Sequence, residues 1–215
     1  SGPEPAPLRD YAVPGDAVHP DGTDSARSLR SRRRYGCGPT DVRKRPEMSA
    51  LTKGQNGPLP TPDVIVTVDL ATAADLSALL VTDRGVVRTD DDFVFYNQPT
   101  GPGVRLEQAA AGSARLHIST ARVPADIDAV RAVITLDDAS STFGRFAPPV
   151  AHVTDEAGRA LYDFTVTGLT SESVVIALEV YRRNGEWKVR AVGQGYAGGF
   201  ADLVRDHGVS VDDEP

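Results

Sequence analysis

Residues 179–193 read EVYRRNGEWKVRAVG, and this stretch decides the fold. Asn184 and Gly185 separate two apolar-rich runs, and an Asn-Gly pair between strands favours a type I′ turn, whose twist matches the strands that it joins. After the turn, alternation gives two different faces: Trp187, Val189 and Ala191 on one, and Lys188, Arg190 and Val192 on the other. Such alternation is typical of an antiparallel strand that is half exposed to water. The stretch therefore predicts a β-hairpin.

Seven further runs rich in Val, Ile and Leu precede the hairpin, with turn signals between them and no long helical pattern. They read VIVTVDL, LSALLVT, DFVFYN, ARLHIS, AVRAVITL, PVAHVTD and ALYDFTV. Regular short strands of this kind are typical of sandwiches and barrels. We expect an all-β fold, a sandwich of two packed antiparallel sheets with a short C-terminal helix.

The helix is predicted from GGFADLVRDHG, residues 198–208. Phe200, Leu203 and Val204 fall on one face at helical spacing, and Gly208 is a natural C-terminal stop.

Three glycines before this helix, Gly193, Gly195 and Gly198, spell G-x-G-x-x-G, the pattern of a dinucleotide-binding loop. That loop needs a parallel βαβ unit and an acidic residue about 20 positions further on. Here the preceding strand belongs to a hairpin, and only seven residues follow Gly208. We therefore expect the glycines to end the last strand and to let the helix pack closely on the sheet.

Composition limits the class of protein. The net charge is −7, whereas a nucleic-acid-binding protein would show a basic face. No run approaches the roughly 18 apolar residues of a membrane span. The single cysteine, Cys37, excludes an intrachain disulfide and a Cys-rich zinc site. We expect a cytoplasmic protein with no nucleic-acid partner and no direct membrane insertion.

Residues 1–47 differ from the rest, with nine Lys or Arg, seven Asp or Glu, and almost no aliphatic side chains. Such a segment cannot bury enough apolar area to offset its ordering entropy, so we expect a disordered tail. The folded domain is predicted to span residues 48–215. Met48 is the expected natural initiator, which would make residues 1–47 upstream or vector-derived sequence.

Motifs for catalysis are missing from the sequence. It has no P-loop, nucleophile elbow, H-E-x-x-H motif or EF-hand loop, although a triad assembled in space stays open. The four histidines share no metal-ligand spacing: His19, His117, His152 and His207. His152 is interpreted as a strand residue. We expect no catalytic residues and no cofactor.

Acidic residues crowd the first third of the domain: Asp63, Asp69, Asp75, Asp83 and Asp90 to Asp92. One interpretation is that they are ligands for a hard cation such as calcium. The other is that they cap turns and lie at solvated strand ends, since Asp favours turns.

Four segments together resemble the TerD family, the tellurium-resistance and general stress-response domain of bacteria. They are MSALTKGQNGPLP, ADLSALLVTDRGVVRTDDDFVFYNQP, TFGRF and EVYRRNGEWKVRAVGQGYAGGFADLVRDHGV, and the last is the most specific. The resemblance implies a two-sheet sandwich, calcium binding and protein partners in a stress-response complex.

The calcium motifs of the family are degraded in this chain. AADLSALL keeps only Asp75 and Ser77 of the first motif, with Ala73 in place of its first Asp, and Asp69 matches an upstream acidic position. The acidic loop is replaced by GPGVRLEQAAAGSARLHIS, with one acid, Glu107, and two arginines. Asp69 and Asp75 are thus remnant calcium-site positions, too few for the six to eight oxygen ligands of calcium.

We therefore predict a non-enzymatic TerD-type protein that acts as a binding or scaffold component in tellurite, oxidative or phage stress. The alternatives are a calcium-binding protein with one surviving site, and a small-ligand binder or enzyme with a new pocket where the acidic loop was lost. A pocket with converging polar groups would favour the last of these.

Overall fold

The computed structural model of the protein describes residues 48–108 and 113–208. In this part the chain forms thirteen strands and one α-helix. The strands are β1 (Ser49–Leu51), β2 (Asn56–Pro58), β3 (Asp63–Asp69), β4 (Ala74–Val81), β5 (Phe93–Val94), β6 (Thr100–Gly101), β7 (Val104–Gln108), β8 (Ala114–Ser119), β9 (Ala129–Leu136), β10 (Val150–Asp155), β11 (Ala160–Thr165), β12 (Val174–Arg183) and β13 (Glu186–Tyr196). The helix is α1 (Gly199–Asp206).

The strands form two sheets, as predicted. The seven-stranded sheet has the order β1-β11-β10-β3-β8-β7-β6, and the six-stranded sheet has the order β2-β13-β12-β9-β4-β5. Apolar side chains from the facing sides of both sheets, such as Val66 of β3 and Leu80 of β4, make the main core. The outermost strand on each side of each sheet has only two or three residues.

A second, smaller apolar cluster lies on the other face of the six-stranded sheet, where α1 covers it. Leu203 of α1 lies in this cluster beside Ile176 and Tyr196, and Val204 is also buried, as predicted. Phe200 is 39% exposed and contacts the ring of Phe93 instead. The C-terminal helix therefore adds a partial third layer to the sandwich.

The predicted hairpin joins β12 and β13. Asn184 and Gly185 have φ angles of 54° and 79°, the left-handed values that a type I′ turn requires at both central positions. Val189 and Ala191 are fully buried, and Trp187 is half-buried against the main core. Sequence alternation thus assigned the correct face of the strand.

The predicted role of the glycines in ending the last strand is wrong for Gly193 and Gly195, which lie inside β13, whereas Gly198 follows the end of that strand and precedes α1. Across the ladder with β12, Ile176 pairs with Gln194 and Leu178 pairs with Ala191, so β13 carries one extra residue. Gly193, with φ at 61°, lies in this β-bulge, where left-handed backbone favours glycine.

Strand pairing departs from the expectation in one place: β1 runs parallel to β11. Strands of two or three residues, including β1, β2 and β6, were also not predicted, because so short a run shows no periodicity.

The predicted tail at residues 1–47 lies outside the described residues. Residues 48–108 and 113–208 contain no helix with the length and apolar character of a membrane span.

Candidate functional site

A large cavity opens where β3 leaves the seven-stranded sheet and β4 enters the six-stranded sheet. Its volume is about 970 Å³. The connection at residues 70–73 forms much of its wall, and the ends of other strands complete it with Gln108, Ala114, Ile134 and Val150. The cavity thus lies at an end of the sandwich, where turns interrupt both ladders.

Both predicted site residues line this cavity, together with a third carboxylate that sequence reasoning missed. Asp69 ends β3, Asp75 is the second residue of β4, and Asp137 directly follows β9. The pairing of Asp75 with Thr135 across β4 and β9 explains why Asp137 lies on the same side. Partial burial and the negative charge of Asp137 raise the pKa of Asp75.

Asp69 has a partner on the neighbouring strand. Its Oδ2 lies 3.1 Å from Nε2 of His152, and Nδ1 of the same ring lies 2.6 Å from Oδ1 of Asp163 on β11. Burial alone would lower the pKa of His152, but the two carboxylates outweigh it, and the pKa is raised. The carboxylate of Asp69 therefore already has the His152 ring as a hydrogen-bond partner.

The donor set does not fit calcium. No group of three or more His, Cys, Asp or Glu side chains converges on one point in residues 48–108 and 113–208. Calcium needs six to eight oxygens, several from carboxylates. Asp69 already faces His152, which leaves Asp75 and Asp137 as the two carboxylates without a described cationic partner.

The other charged residues that the sequence singled out lie away from the cavity lining. Asp90 begins a short 3-10 turn before β5, on the far edge of the six-stranded sheet. Glu107 lies 2.9 Å from Nε2 of His117 and 3.8 Å from Arg105. Arg105 and Arg115 do not line the cavity, so the low carboxylate count, and not nearby arginine charge, argues against calcium.

A cluster of aromatic rings lies at the β5 edge. Phe93 stacks on Phe95 at 4.6 Å between ring centres, and Phe95 meets the ring of Tyr96 edge to face at 5.6 Å. Phe200 of α1 completes the cluster. Tyr96 is 57% exposed, so this aromatic edge reaches the protein surface.

Sequence comparison connects the chain to named proteins. It is 35% identical over 150 residues to the tellurium resistance protein TerD of Serratia marcescens, covering 63% of this chain and 78% of that protein. It is also 35% identical over 150 residues to general stress protein 16U of Bacillus subtilis, covering 64% and 78%. A chemical-damaging agent resistance protein of Clostridium acetobutylicum is 29% identical over 139 residues, covering 59% and 100%.

Solved structures share the fold. A protein of unknown function, SAV2460, superposes with a TM-score of 0.56 at 17% identity, covering 70% of this chain and 98% of that one. A homologue of the telluride resistance protein TerD from Streptomyces coelicolor A3(2) gives 0.54 at 14% identity, covering 66% and 95%. The family model of the TerD domain matches residues 48–207. This chain therefore belongs to the TerD family of tellurium-resistance and stress-response proteins.

Proposed function

We propose that the protein is a non-enzymatic binding or scaffold component of a cytoplasmic bacterial stress-response system, acting without calcium. The names of its relatives, tellurium resistance and general stress proteins, support the stress-response part. The stress is of the tellurite, oxidative or phage type. Its partners are proteins of the same response.

The exposed aromatic edge carries the binding part of the proposal. Aromatic side chains supply a large contact area at low conformational cost and are enriched in protein interfaces. Tyr96 and Phe200 are 57% and 39% exposed although both belong to one ring cluster. A surface of this kind fits a partner that buries the rings on contact.

Affinity capture from the native host tests this role. The wild-type chain is expected to retain specific partners that a Tyr96→Ala, Phe200→Ala chain loses. Met48→Ala in the 215-residue chain, where residues 1–47 precede it, is the matched control, because Met48 is 54% exposed beside the opposite edge of the sandwich. Equal recovery of the partners by all three chains would place the binding surface elsewhere.

The donor set of the cavity supports calcium independence. Calorimetric titration is expected to give a dissociation constant no tighter than about millimolar, as for the weakest calcium modules. A chelator should move the melting temperature by less than about 5 °C, since weak binding contributes little linkage. A micromolar isotherm that disappears in Asp75→Asn would instead mean that a working site survives.

The cavity itself supports a second candidate, a small-ligand site. Its volume of about 970 Å³ lies at the upper end of the range of ligand pockets, and a raised pKa at Asp75 is common in functional sites. The carboxylates of Asp75 and Asp137 favour cationic polar ligands. A thermal-shift screen of such compounds should yield hits that Asp75→Asn abolishes and Asp83→Asn, an exposed control outside the lining, retains.

A further inference from the structure

A smaller cleft lies on the outer face of the six-stranded sheet, away from the carboxylate cavity. It has a volume of about 270 Å³. Three cationic residues line it: Lys53 from the β1–β2 connection, Arg131 from β9 and Arg190 from β13. Glu179 of β12 is the only acidic residue among its described lining residues. We call it the arginine cleft.

Glu179 holds the two arginines in place. Its side chain is 3% exposed, and it accepts hydrogen bonds from Arg131 Nε at 3.3 Å and from Arg190 Nη2. Strand register explains the grouping, because Glu179 pairs with Arg190 on one side and with Arg131 on the other. The ring of Tyr181 also lies 4.8 Å from the Arg190 guanidinium. Both arginine side chains are therefore oriented before any ligand arrives.

The cleft carries excess positive charge. Three cations face one carboxylate, which leaves a local charge of about +2. His207 contacts Arg131 but adds no charge, because its Nδ1 lies 2.6 Å from the Leu203 carbonyl and must donate there, so that Nε2 accepts from Arg131. Residues 48–215 carry 14 basic and 23 acidic side chains, so this cationic site stands out in an acidic domain.

Many donors of these side chains are unused. The two guanidinium groups have about ten N–H bonds. Within the described part of the chain, they make two hydrogen bonds to Glu179 and one to His207. Arg131 and Arg190 remain 25% and 42% exposed, and Lys53 Nζ reaches across the cleft to the Gly193 carbonyl at 2.9 Å. Fixed, partly desolvated donors of this kind match the oxygens of a tetrahedral anion.

We propose that the arginine cleft binds a small oxyanion of the phosphate or sulfate class, either free or as the end group of a larger molecule. At physiological ionic strength the Debye length is about 8 Å, so salt largely screens acidic residues that lie farther than this from the cleft. The local cations therefore decide whether an anion binds. The site is separate from the carboxylate cavity and from the aromatic edge, and it does not depend on the function proposed above.

Titration of the full, isotopically labelled chain with inorganic phosphate tests the site by NMR. Saturable shifts are expected at the amides of Gly54 and Gly193, which border the cleft. Arg190→Gln should weaken binding about tenfold, the loss expected for one charge-assisted hydrogen bond. Lys53→Gln should weaken it severalfold, and this exposed residue keeps the test valid if the arginine variant unfolds.

Lys188→Gln is the matched control. Lys188 lies two residues from Arg190 on the same strand but does not line the cleft, so its loss removes equal charge without a donor to the ligand. Binding within about twofold of wild type is expected for it. Equal weakening by Lys188→Gln and Arg190→Gln, or shifts without saturation, would overturn the proposal.

A parallel titration with glycerol phosphate identifies the source of the anion. Tighter binding of the ester would indicate an organic phosphate, and tighter binding of the free ion would indicate an inorganic one. Either outcome supports the shared chemistry. Failure of both to bind would reject it and leave the aromatic-edge and calcium experiments unaffected.

Discussion

His207 accepts a hydrogen bond from Arg131, with 2.7 Å between Nε2 and Nη1, although 76 residues separate them in sequence. The imidazole is 1% exposed, and its other nitrogen donates to the Leu203 carbonyl. A protonated ring would place a donor and a positive charge against the guanidinium. Burial and the Arg131 charge accordingly lower the pKa of His207, although Asp206 and the Leu203 carbonyl act in the opposite direction.

This contact predicts loss of stability in mild acid. The folded pKa of His207 lies below the unfolded value of about 6.5, so the unfolded chain binds the proton more readily. Its contribution is complete above about pH 6.5 and is lost as the pH falls towards the folded pKa. His207→Gln should be less stable at neutral pH but should flatten the acid slope in urea-unfolding series. An unchanged slope would contradict the assignment.

His152 should respond in the opposite direction. Its raised pKa means that the folded chain holds the proton more tightly, so its contribution is complete below about pH 6.5 and is lost as the pH rises through the folded pKa. An NMR titration of the histidine rings should find His152 above 6.5 and His207 below it. Asp163→Asn should move only the His152 curve, towards lower pH.

The two carboxylates bound by Arg88 offer a matched pair for stability measurements. Asp92 has a side chain that is 0% exposed, and it accepts from the Arg88 backbone N–H at 2.9 Å and from Nε at 2.8 Å. Asp126 binds the same guanidinium at 2.7 Å but is 63% exposed.

Asp92→Asn should therefore lower the free energy of unfolding by about 2–4 kcal/mol, because it breaks a buried pair. Asp126→Asn should leave the chemical denaturation midpoint close to wild type, since solvent screens an exposed pair. Similar effects from both substitutions would show that burial does not set the strength of these bonds.

Trp187 anchors the hairpin from the edge of the core. Its ring is half-buried against the main core, and the Arg182 guanidinium lies 4.7 Å above it. Trp187→Ala should cost about 1–3 kcal/mol, below the value for a fully buried ring, and Trp187→Phe should recover most of that loss. Indole fluorescence at the wavelength of free tryptophan would refute the packed position.

Local chemistry allowed much of the fold to be predicted. Asn184-Gly185 specified its own turn, alternation placed Val189 and Ala191 in the core, and Leu203 and Val204 marked the buried side of α1. The bulge at Gly193 was missed because it depends on a register shift against β12, which the sequence of one strand does not contain.

The candidate site was predictable only in part. Asp69 and Asp75 were identified by their likeness to a motif, and both do line the cavity. The position of Asp137 depends on the pairing of β9 with β4, which lie far apart in the chain. The contact between His152 and Asp163 depends on the register between β10 and β11. The arginine cleft likewise collects residues from four separate segments, so no spacing rule could have found it.

The brevity of the outermost strands affects how copies of the protein behave in concentrated solution. Each sheet ends on strands of two or three residues, and β2 includes Pro58, which has no backbone N–H to donate. A long, bare strand would let one molecule extend the sheet of the next and so begin a polymer. Strands as short as these offer a neighbour few backbone groups of their own, so we expect them to hinder amyloid-like growth when the chain accumulates.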